Sequence, residues 1–333
     1  MSKVLITGGA GYVGSRLIPQ LLELGHEVAV YDILYFGKDF LPTENPNLSV
    51  VSGDLRNTSA LAAALEGIEI VIHLACISND ASFVLDEALS ETVNFDAFEP
   101  MVIAAKQAGV RRFIYASTSS VYGVSEVPNV TEDHPLVPLT LYNKFKGMCE
   151  PLLFKHQSEG FVCVAIRPAT LCGYAPRQRL DLSVNILTNH AVNRGKITVF
   201  GGTQLRPNLN IQDMCDLYKL LLTIESDKIA GQTFNAGYQN MSIMDIALLV
   251  QDIVQKEVPG REKIEIETTP SDDLRSYHIN SDKITRTIGF KPSHTVEDAI
   301  QELCAAFREG KLPASLEDDK YFNVQRMKAL SAA

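Results

Sequence analysis

Tryptophan, paired cysteines and long apolar runs are missing from this sequence. Among its 333 residues there is no tryptophan, and none of the six cysteines stands in a Cys-x-x-Cys pair. Scattered cysteines without ligand spacing indicate reduced thiols, most of them small buried side chains. No His/Cys spacing suits a metal ion. We therefore predict a cytoplasmic protein without a metal site.

Membrane segments and basic clusters are absent as well. No apolar run reaches the roughly 18 residues that a membrane span needs, and Met1–Thr7 does not have the layout of a signal peptide. The formal net charge is −10, with lysine and arginine dispersed. Nucleic acid and anionic membranes are therefore poor partners, although local arginines and helix N-termini can still bind phosphate.

Short apolar segments alternate with helical patterns through the first half of the chain. This alternation predicts an α/β fold, a Rossmann-type doubly wound parallel sheet with both faces covered. The predicted strands are Val4–Thr7, Glu27–Tyr31, Leu48–Ser52, Ile70–Leu74, Arg112–Ala116 and Cys163–Arg167. Ligands bind beyond the carboxyl ends of such strands. One crevice should therefore be lined by the residues that follow them: Gly8, Asp32, Asp54, Ala75, Ser117 and Pro168.

After about residue 170 the alternation of short apolar segments and helical patterns becomes less regular. We predict a Rossmann domain over residues 1–170, with some later chain returning to its sheet. A smaller, mostly C-terminal α/β substrate lobe is predicted over 171–316, with a charged, weakly patterned tail over 317–333 that we expect to be partly mobile. Two long helices, Thr92–Ala108 and Tyr142–His156, are predicted in the first domain.

A glycine-rich loop follows the first predicted strand and opens a helix. Two registers overlap there, Gly9/Gly11/Gly14 as Gly-x-Gly-x-x-Gly and Gly8/Gly11/Gly14 as Gly-x-x-Gly-x-x-Gly. Glycines allow the tight turn and the close approach of backbone N–H groups to a dinucleotide diphosphate, which the helix N-terminus also attracts. Asp32 ends the second strand and should accept hydrogen bonds from the adenosine ribose, which favours NAD over NADP.

A tyrosine and a lysine in a later helix supply acid–base chemistry. Tyr142 and Lys146 are four residues apart and share one helix face. A nearby ammonium and the positive nicotinamide favour a tyrosinate, which could accept a hydroxyl proton as general base. Lys146 should also hold the nicotinamide ribose. The hydroxyl-rich segment Ser117–Gly123 precedes this pair.

With these residues the chain resembles the extended short-chain dehydrogenase/reductase family, and within it the NAD-dependent nucleotide-sugar epimerases and dehydratases. The similarity runs over nearly the whole chain. It rests on the glycine loop, Gly53–Leu55, His73–Ala75, Asn94, Ser117–Gly123, Tyr142–Lys146, Arg167–Pro168, Arg206, Phe234–Gly237, Arg275 and Gly289–Pro292.

The resemblance implies roles for individual residues. Thr118 would be the catalytic hydroxyl beside Tyr142 and Lys146, and Arg206 and Arg275 would contact a substrate diphosphate, unless they form surface ion pairs. The expected NAD contacts are Gly8, Gly11, Tyr12, Val13, Gly14, Asp32, Ile33, Asp54, Leu55, Leu74, Ala75, Cys76, Asn94, Ser117, Tyr142, Lys146 and Pro168. The expected substrate contacts are Ser78, Asn79, Asp80, Thr118, Ser119, Thr170, Arg177, Arg179, Asn185, Arg206 and Arg275. A homodimer through the two long helices is also implied.

Departures from the family patterns narrow the reaction. Ser119 and Ser120 stand where the 4,6-dehydratases of the family carry Asp-Glu, so the chain most resembles the UDP-glucose/galactose 4-epimerases. Asp80 is either an extra acid/base or a hydrogen-bonding residue, and Arg177 and Arg179 either bind phosphate or are surface charges. Cys172 either contacts substrate or merely packs.

Three functions follow from these observations. The leading prediction is a nucleotide-sugar epimerase that acts at C4 through a transient 4-keto sugar, with Tyr142 as acid/base. The alternative is a reductase or dehydrogenase of keto- or deoxysugars, which would consume NAD(H) rather than recycle it. A non-catalytic NAD-binding sensor is a remote third, because the chain keeps Thr118, Tyr142 and Lys146.

Overall fold

The computed structural model describes residues 1–125, 127, 129–270, 276 and 278–331. Arg275, predicted to contact substrate, lies outside the described residues. The strands are β1 (Lys3–Thr7), β2 (Glu27–Asp32), β3 (Leu48–Ser52), β4 (Ile70–His73), β5 (Arg112–Ala116), β6 (Val162–Pro168), β7 (Thr170–Cys172), β8 (Lys196–Phe200), β9 (Leu205–Asn210), β10 (Gln232–Ala236), β11 (Gln239–Ser242) and β12 (Glu265–Thr269).

Helices connect and cover these strands. They are α1 (Tyr12–Glu23), α2 (Thr58–Ala64), α3 (Asp80–Phe83), α4 (Glu87–Glu91), α5 (Phe98–Gln107), α6 (Leu141–Phe154), α7 (Ser183–Arg194), α8 (Ile211–Thr223), α9 (Ser226–Ile229), α10 (Ile243–Glu257), α11 (Asp282–Ile288), α12 (Val296–Arg308) and α13 (Asn323–Ser331). No helix among the described residues is both long enough and apolar enough to cross a bilayer.

The central sheet confirms the predicted Rossmann-type architecture. Seven parallel strands pair in the order β10-β6-β5-β4-β1-β2-β3. Side chains of β1 alternate between two cores, with Val4 and Ile6 on one face and Leu5 on the other. The direction of chain winding reverses between β1 and β4, and such a switch point is where ligands bind in these folds.

The second lobe is built mostly from later residues. Three strands form a small sheet in the order β11-β9-β7, and β8 pairs with β12. Helices α7, α10 and α12 pack around one apolar core over these strands. Two later elements belong instead to the first domain, since β10 extends the central sheet and α8 packs on α1.

The predicted helix Thr92–Ala108 is divided in the structure. Its first turn, Thr92–Asp96, is a π-helix in which the Ala97 N–H donates to the Thr92 carbonyl at 3.1 Å. The α-helix α5 begins only at Phe98. Pro100 explains the division, because it has no N–H to donate to the Asp96 carbonyl.

The charged tail after residue 316 has regular structure over most of the part that is described, which ends at Ser331. A 3₁₀ turn, Asp319–Tyr321, leads into α13, and the Tyr321 ring is buried. The Leu180 N–H donates to the Tyr321 carbonyl at 2.9 Å. The tail therefore packs against the start of the second lobe, beside the cavity described next.

Candidate active site

One large cavity opens at the carboxyl ends of β1, β2, β4, β5 and β6, between the sheet and the second lobe. Its volume is about 760 Å³. It brings together most of the predicted cofactor residues, namely Gly8, Gly11, Tyr12, Val13, Asp32, Ile33, Asp54, Leu55, Leu74, Ala75, Cys76, Ser117, Tyr142, Lys146 and Pro168. The predicted substrate residues in its wall are Ser78, Asn79, Asp80, Thr118, Thr170, Arg177, Arg179 and Arg206.

The glycine loop is shaped by close backbone contacts. Gly8 has a φ of +72°, and a Cβ atom there would lie 2.6 Å from the Ala75 backbone. Gly14 was predicted to contact NAD, but it is not among the residues that line the cavity. A Cβ atom on Gly14 would lie 2.1 Å from the Gly9 carbonyl oxygen, so this glycine lets α1 pack against the loop. The loop can therefore present backbone N–H groups to a diphosphate.

Asp32 is oriented by backbone groups at the edge of the cavity. Its carboxylate accepts hydrogen bonds from the Ala10 N–H at 2.9 Å and the Leu34 N–H at 2.8 Å. Burial raises the pKa of Asp32, and these hydrogen bonds act in the opposite direction. The carboxylate is thus fixed where it can accept hydrogen bonds from ribose hydroxyls.

The predicted catalytic pair, Tyr142 and Lys146, lies on the face of α6 that lines the cavity. The Thr140 hydroxyl caps the helix by accepting from the Asn143 N–H at 3.3 Å. Lys146 Nζ donates to the Ala116 carbonyl at 2.7 Å and lies 5.1 Å from the centre of the Tyr115 ring. The end of β5 therefore holds the ammonium within the wall of the cavity.

The environment of Tyr142 differs from the one predicted. Burial raises the pKa of its phenol well above the ordinary value, the neighbouring Cys76 thiol raises it further, and the charge of Arg179 lowers it. The expectation of a tyrosinate favoured by Lys146 and the positive nicotinamide stays a prediction. Burial of the phenol opposes it, and the charge of Arg179 favours it. Arg179 is an unforeseen contributor from the second lobe.

A buried ion pair supports the end of β5. Ser117 Oγ donates to Glu150 Oε1 at 2.6 Å, and Arg167 forms two hydrogen bonds with the same carboxylate, at 2.9 and 2.6 Å. Arg167 also donates to the Tyr122 hydroxyl at 2.7 Å. This network fixes the strand end from which Thr118 faces the cavity.

Asn94 acts behind the cavity wall rather than in it. Its side chain accepts from the Ile77 N–H at 2.8 Å and donates to the Ile77 carbonyl at 2.9 Å. These two bonds fix the loop after β4, which carries Ser78, Asn79 and Asp80. Asn94 is not among the residues that line the cavity, and its predicted contact with the cofactor stays a prediction.

Two predicted substrate residues are buried away from the cavity. Ser119 is 1% exposed and lies in a 3₁₀ turn, with its side chain turned into the protein. Asn185 is fully buried, accepts from the Gly173 N–H at 3.0 Å and donates to the Tyr12 hydroxyl at 3.1 Å. Neither residue lines the cavity, and their predicted contacts with substrate stay predictions. A polar side chain that serves buried partners is indistinguishable in sequence from one that serves a ligand.

Arg177 and Arg179 are not surface charges. Arg177 is 4% exposed, and Arg179 forms hydrogen bonds to the Asp181 carboxylate at 2.9 and 3.2 Å. Several cavity residues were not predicted from the sequence: Phe36, Asp181, His190, Asn323 and Met327. The spacing of Arg179 and Asp181 was a usable signal for the ion pair. Nothing local marked Asn323, which lies in the tail.

Comparison with known proteins identifies the family. The pattern of the NAD dependent epimerase/dehydratase family matches residues 4–237, more than half of the chain, and the protein belongs to that family. The predicted family resemblance, fold and NAD cofactor are thereby confirmed. The glycine loop, Asp32 and Lys146 are the described groups that would hold the dinucleotide.

The similar proteins differ in the reaction named for them. The chain is 28% identical to a UDP-glucose 4-epimerase of Lactobacillus helveticus, over 90% of this chain and 94% of the relative. It is 25% identical to a dTDP-glucose 4,6-dehydratase of an Actinoplanes species, over 93% and 98%. The solved structure of MoeE5 with UDP-glucose and NAD is 25% identical, with a TM-score of 0.79 over 92% of this chain and 99% of that one.

Proposed function

We propose that this protein is a nucleotide-sugar epimerase that inverts C4. Two observations together support the proposal. Tyr142 and Thr118 both line the cavity, and the two positions that follow Thr118 are serines. Serine cannot provide the acid and base that elimination of water from a sugar requires, because its hydroxyl has no suitable pKa. Oxidation followed by reduction at one carbon needs only one group that removes and returns a proton.

The proposed steps use few side chains. Bound NAD would supply a hydride acceptor that returns the hydride within the same turnover. Tyr142 removes the C4 hydroxyl proton while Thr118 donates a hydrogen bond to the same oxygen. The resulting 4-keto sugar rotates in the cavity so that the hydride would return to the other face of C4, and Tyr142 gives the proton back to the C4 oxygen. Lys146 and Arg179 stabilise the phenolate form of Tyr142 by their charge.

Recognition of the substrate is assigned to the second half of the cavity. Arg206 lies in β9 and lines the cavity, as do Phe200 and Gln204. A guanidinium has paired donors that suit a diphosphate. Arg275 remains a further candidate. We assign the contacts with the sugar to the loop after β4 and to Thr170, which line the same cavity. The relatives named above act on UDP- or dTDP-sugars, so we expect one of these nucleotides.

The proposal is tested by proton NMR of the purified protein with a panel of nucleotide sugars in deuterated water, without added cofactor. We expect inversion at C4, no solvent deuterium in the product and no net NADH. Deuterium at C3 or C5, or turnover only with added NAD(H), would contradict it. Those results would point to a keto-sugar epimerase or a reductase.

The homodimer and the cytoplasmic location stay predictions. The dimer is supported by exposed apolar side chains on the two helices implied in it, Ile103 on α5 and Met148 on α6. Sedimentation of the wild-type protein and of an Ile103→Asp/Met148→Asp variant tests it. A monomeric variant is expected, and an unchanged mass would refute the helix-to-helix arrangement.

A further inference from the structure

Arg177 occupies the cofactor side of the cavity, not the substrate side. Its backbone N–H donates to Ser15 Oγ at 3.1 Å, in the first turn of α1. Its guanidinium lies 3.5 Å from the centre of the Phe36 ring, in the loop that follows Asp32. The side chain thus bridges the helix that begins at the glycine loop and the loop beside the ribose site.

The charge of Arg177 is poorly compensated in the folded protein. Nη2 donates to Asn323 Oδ1 at 2.7 Å, which is a neutral acceptor, and Nε is buried with no hydrogen-bond partner among the described residues. No carboxylate oxygen in the described part of the chain lies within 4 Å of a guanidinium nitrogen of Arg177. The nearest acidic groups are engaged elsewhere, Asp181 with Arg179 and Asp32 with backbone amides.

A buried, unpaired guanidinium is electrostatically costly. Burial and the like charge of Arg179 lower the pKa of Arg177, although Asp181 and Asp32 act in the opposite direction. An anion bound within the cavity would offset this cost and would accept the free Nε–H. In a dinucleotide site of this type, the diphosphate lies over the start of α1.

We propose that Arg177 is a binding residue for the diphosphate of NAD, contributed by the second lobe. It would add a charged side-chain donor to the backbone donors of the glycine loop. The assignment rests on the use of NAD by this family and is independent of inversion at C4.

Asn323 orients this arginine from the C-terminal tail. Its Oδ1 accepts from Arg177, its Nδ2 donates to Ser78 Oγ at 2.7 Å, and its backbone N–H donates to Asp181 at 3.1 Å. An amide fixes the direction of the guanidinium and leaves its charge available. A carboxylate at this position would pair with Arg177 and compete with the diphosphate.

The test measures nucleotide affinity with the full-length protein by calorimetry. Arg177→Met keeps an apolar chain on Phe36 but removes the charge. We expect NAD and ADP-ribose to bind about 10- to 100-fold more weakly, the range for hydrogen bonds to charged groups. Adenosine and UDP affinities should not change. Arg177→Lys should recover part of the loss, and Arg194→Met, an exposed arginine on α7, should behave as wild type.

Other patterns of binding would overturn the assignment. NAD affinity within twofold of wild type would mean a purely structural arginine. If adenosine lost as much affinity as NAD, Arg177 would lie at the adenine base or its ribose. If only NADP lost affinity, Arg177 would lie at a ribose 2′-phosphate. A loss of affinity for UDP would place Arg177 at the substrate.

The isosteric Asn323→Asp variant keeps the proposal testable if Arg177→Met fails to fold. We expect it to retain the fold and to bind NAD at least tenfold more weakly. Unchanged NAD affinity in Asn323→Asp would contradict a free charge on Arg177.

Discussion

The two walls of the cavity are assembled in different ways. The wall formed by the central sheet uses residues at the ends of consecutive strands, and backbone contacts such as that of Gly8 with Ala75 fix its shape. The wall formed by the second lobe uses side chains joined across long stretches of sequence, such as Arg177 with Asn323 and Asn323 with Ser78. In the function proposed above, the first wall carries the acid–base group, and the second wall contributes charge and further contacts to the ligands.

This difference leads to an ordering of effects. Changes in the first wall should abolish chemistry or stability, because its residues touch the reacting atoms or a buried network. Changes in the second wall should alter affinity and pH dependence more modestly.

The largest effect is expected at Tyr142. Tyr142→Phe removes the acid–base hydroxyl and keeps the ring against Phe83, whose centre lies 6.4 Å away. Turnover should fall by about 10²- to 10⁴-fold, the usual contribution of general acid–base catalysis. NAD content should remain unchanged. A loss below tenfold in steady-state rate would show that another group carries the proton.

The buried pair behind β5 should dominate stability. Glu150→Ala leaves Arg167, 5% exposed, without its carboxylate. Loss of one partner of a buried pair costs about 3–5 kcal/mol, and we expect a decrease of that size in the free energy of unfolding by urea titration. The double variant Glu150→Ala/Arg167→Ala should lose less than the sum of the single changes. Additive losses would mean that the pair is not coupled.

The charge of Arg179 should influence the pH dependence of Tyr142. Removing this cation in Arg179→Gln takes away an interaction that lowers the pKa of the phenol. The pKa of Tyr142 should therefore rise. Because less phenolate is then present at neutral pH, kcat/KM should fall there, by up to about tenfold if the pKa rises by one.

The pH profile provides the check on this assignment. The rising limb of log kcat/KM should move to higher pH in Arg179→Gln and stay near the wild-type position in Arg179→Lys, which keeps a positive charge. A uniform loss of rate with an unmoved limb would show that Arg179 acts only through packing or through Asp181.

The smallest effect is expected at Asn323. Asn323→Ala removes neutral hydrogen bonds to Arg177 and Ser78 but leaves the arginine charge in place. We expect NAD to dissociate about threefold to tenfold faster, as for the loss of one net hydrogen bond. Stopped-flow displacement of NAD measures this rate. A rate unchanged from wild type would separate the tail from the cofactor site.

The first wall could be predicted from the sequence because its signals are local. Strand ends, the glycine spacing and the four-residue step from Tyr142 to Lys146 each follow from the period of one element. Local signals did not show which polar side chains are used by the protein itself. Asn94 and Asn185 have the residue type of a binding group, but their amides are used by buried neighbours.

The second wall could not be predicted because its contacts join distant parts of the chain. Asn323 contacts Arg177, which is 146 positions earlier in the chain, and Ser78, which is 245 positions earlier. No periodicity in the sequence marks such a pair. The burial that raises the pKa of Tyr142 was likewise not apparent from its spacing to Lys146. A charged residue on the same helix face can be predicted from sequence spacing. The burial of the ionisable side chain depends on the whole fold.

The most direct test of the account follows the hydrogen at C4. A nucleotide sugar deuterated at C4, the substrate identified from the panel, is incubated with the protein in ordinary water without added cofactor. The account predicts that the inverted product keeps its deuterium at C4, because the hydride removed from one face returns to the other within the same turnover. Loss of that deuterium to solvent, or its appearance in free NADH, would contradict the account.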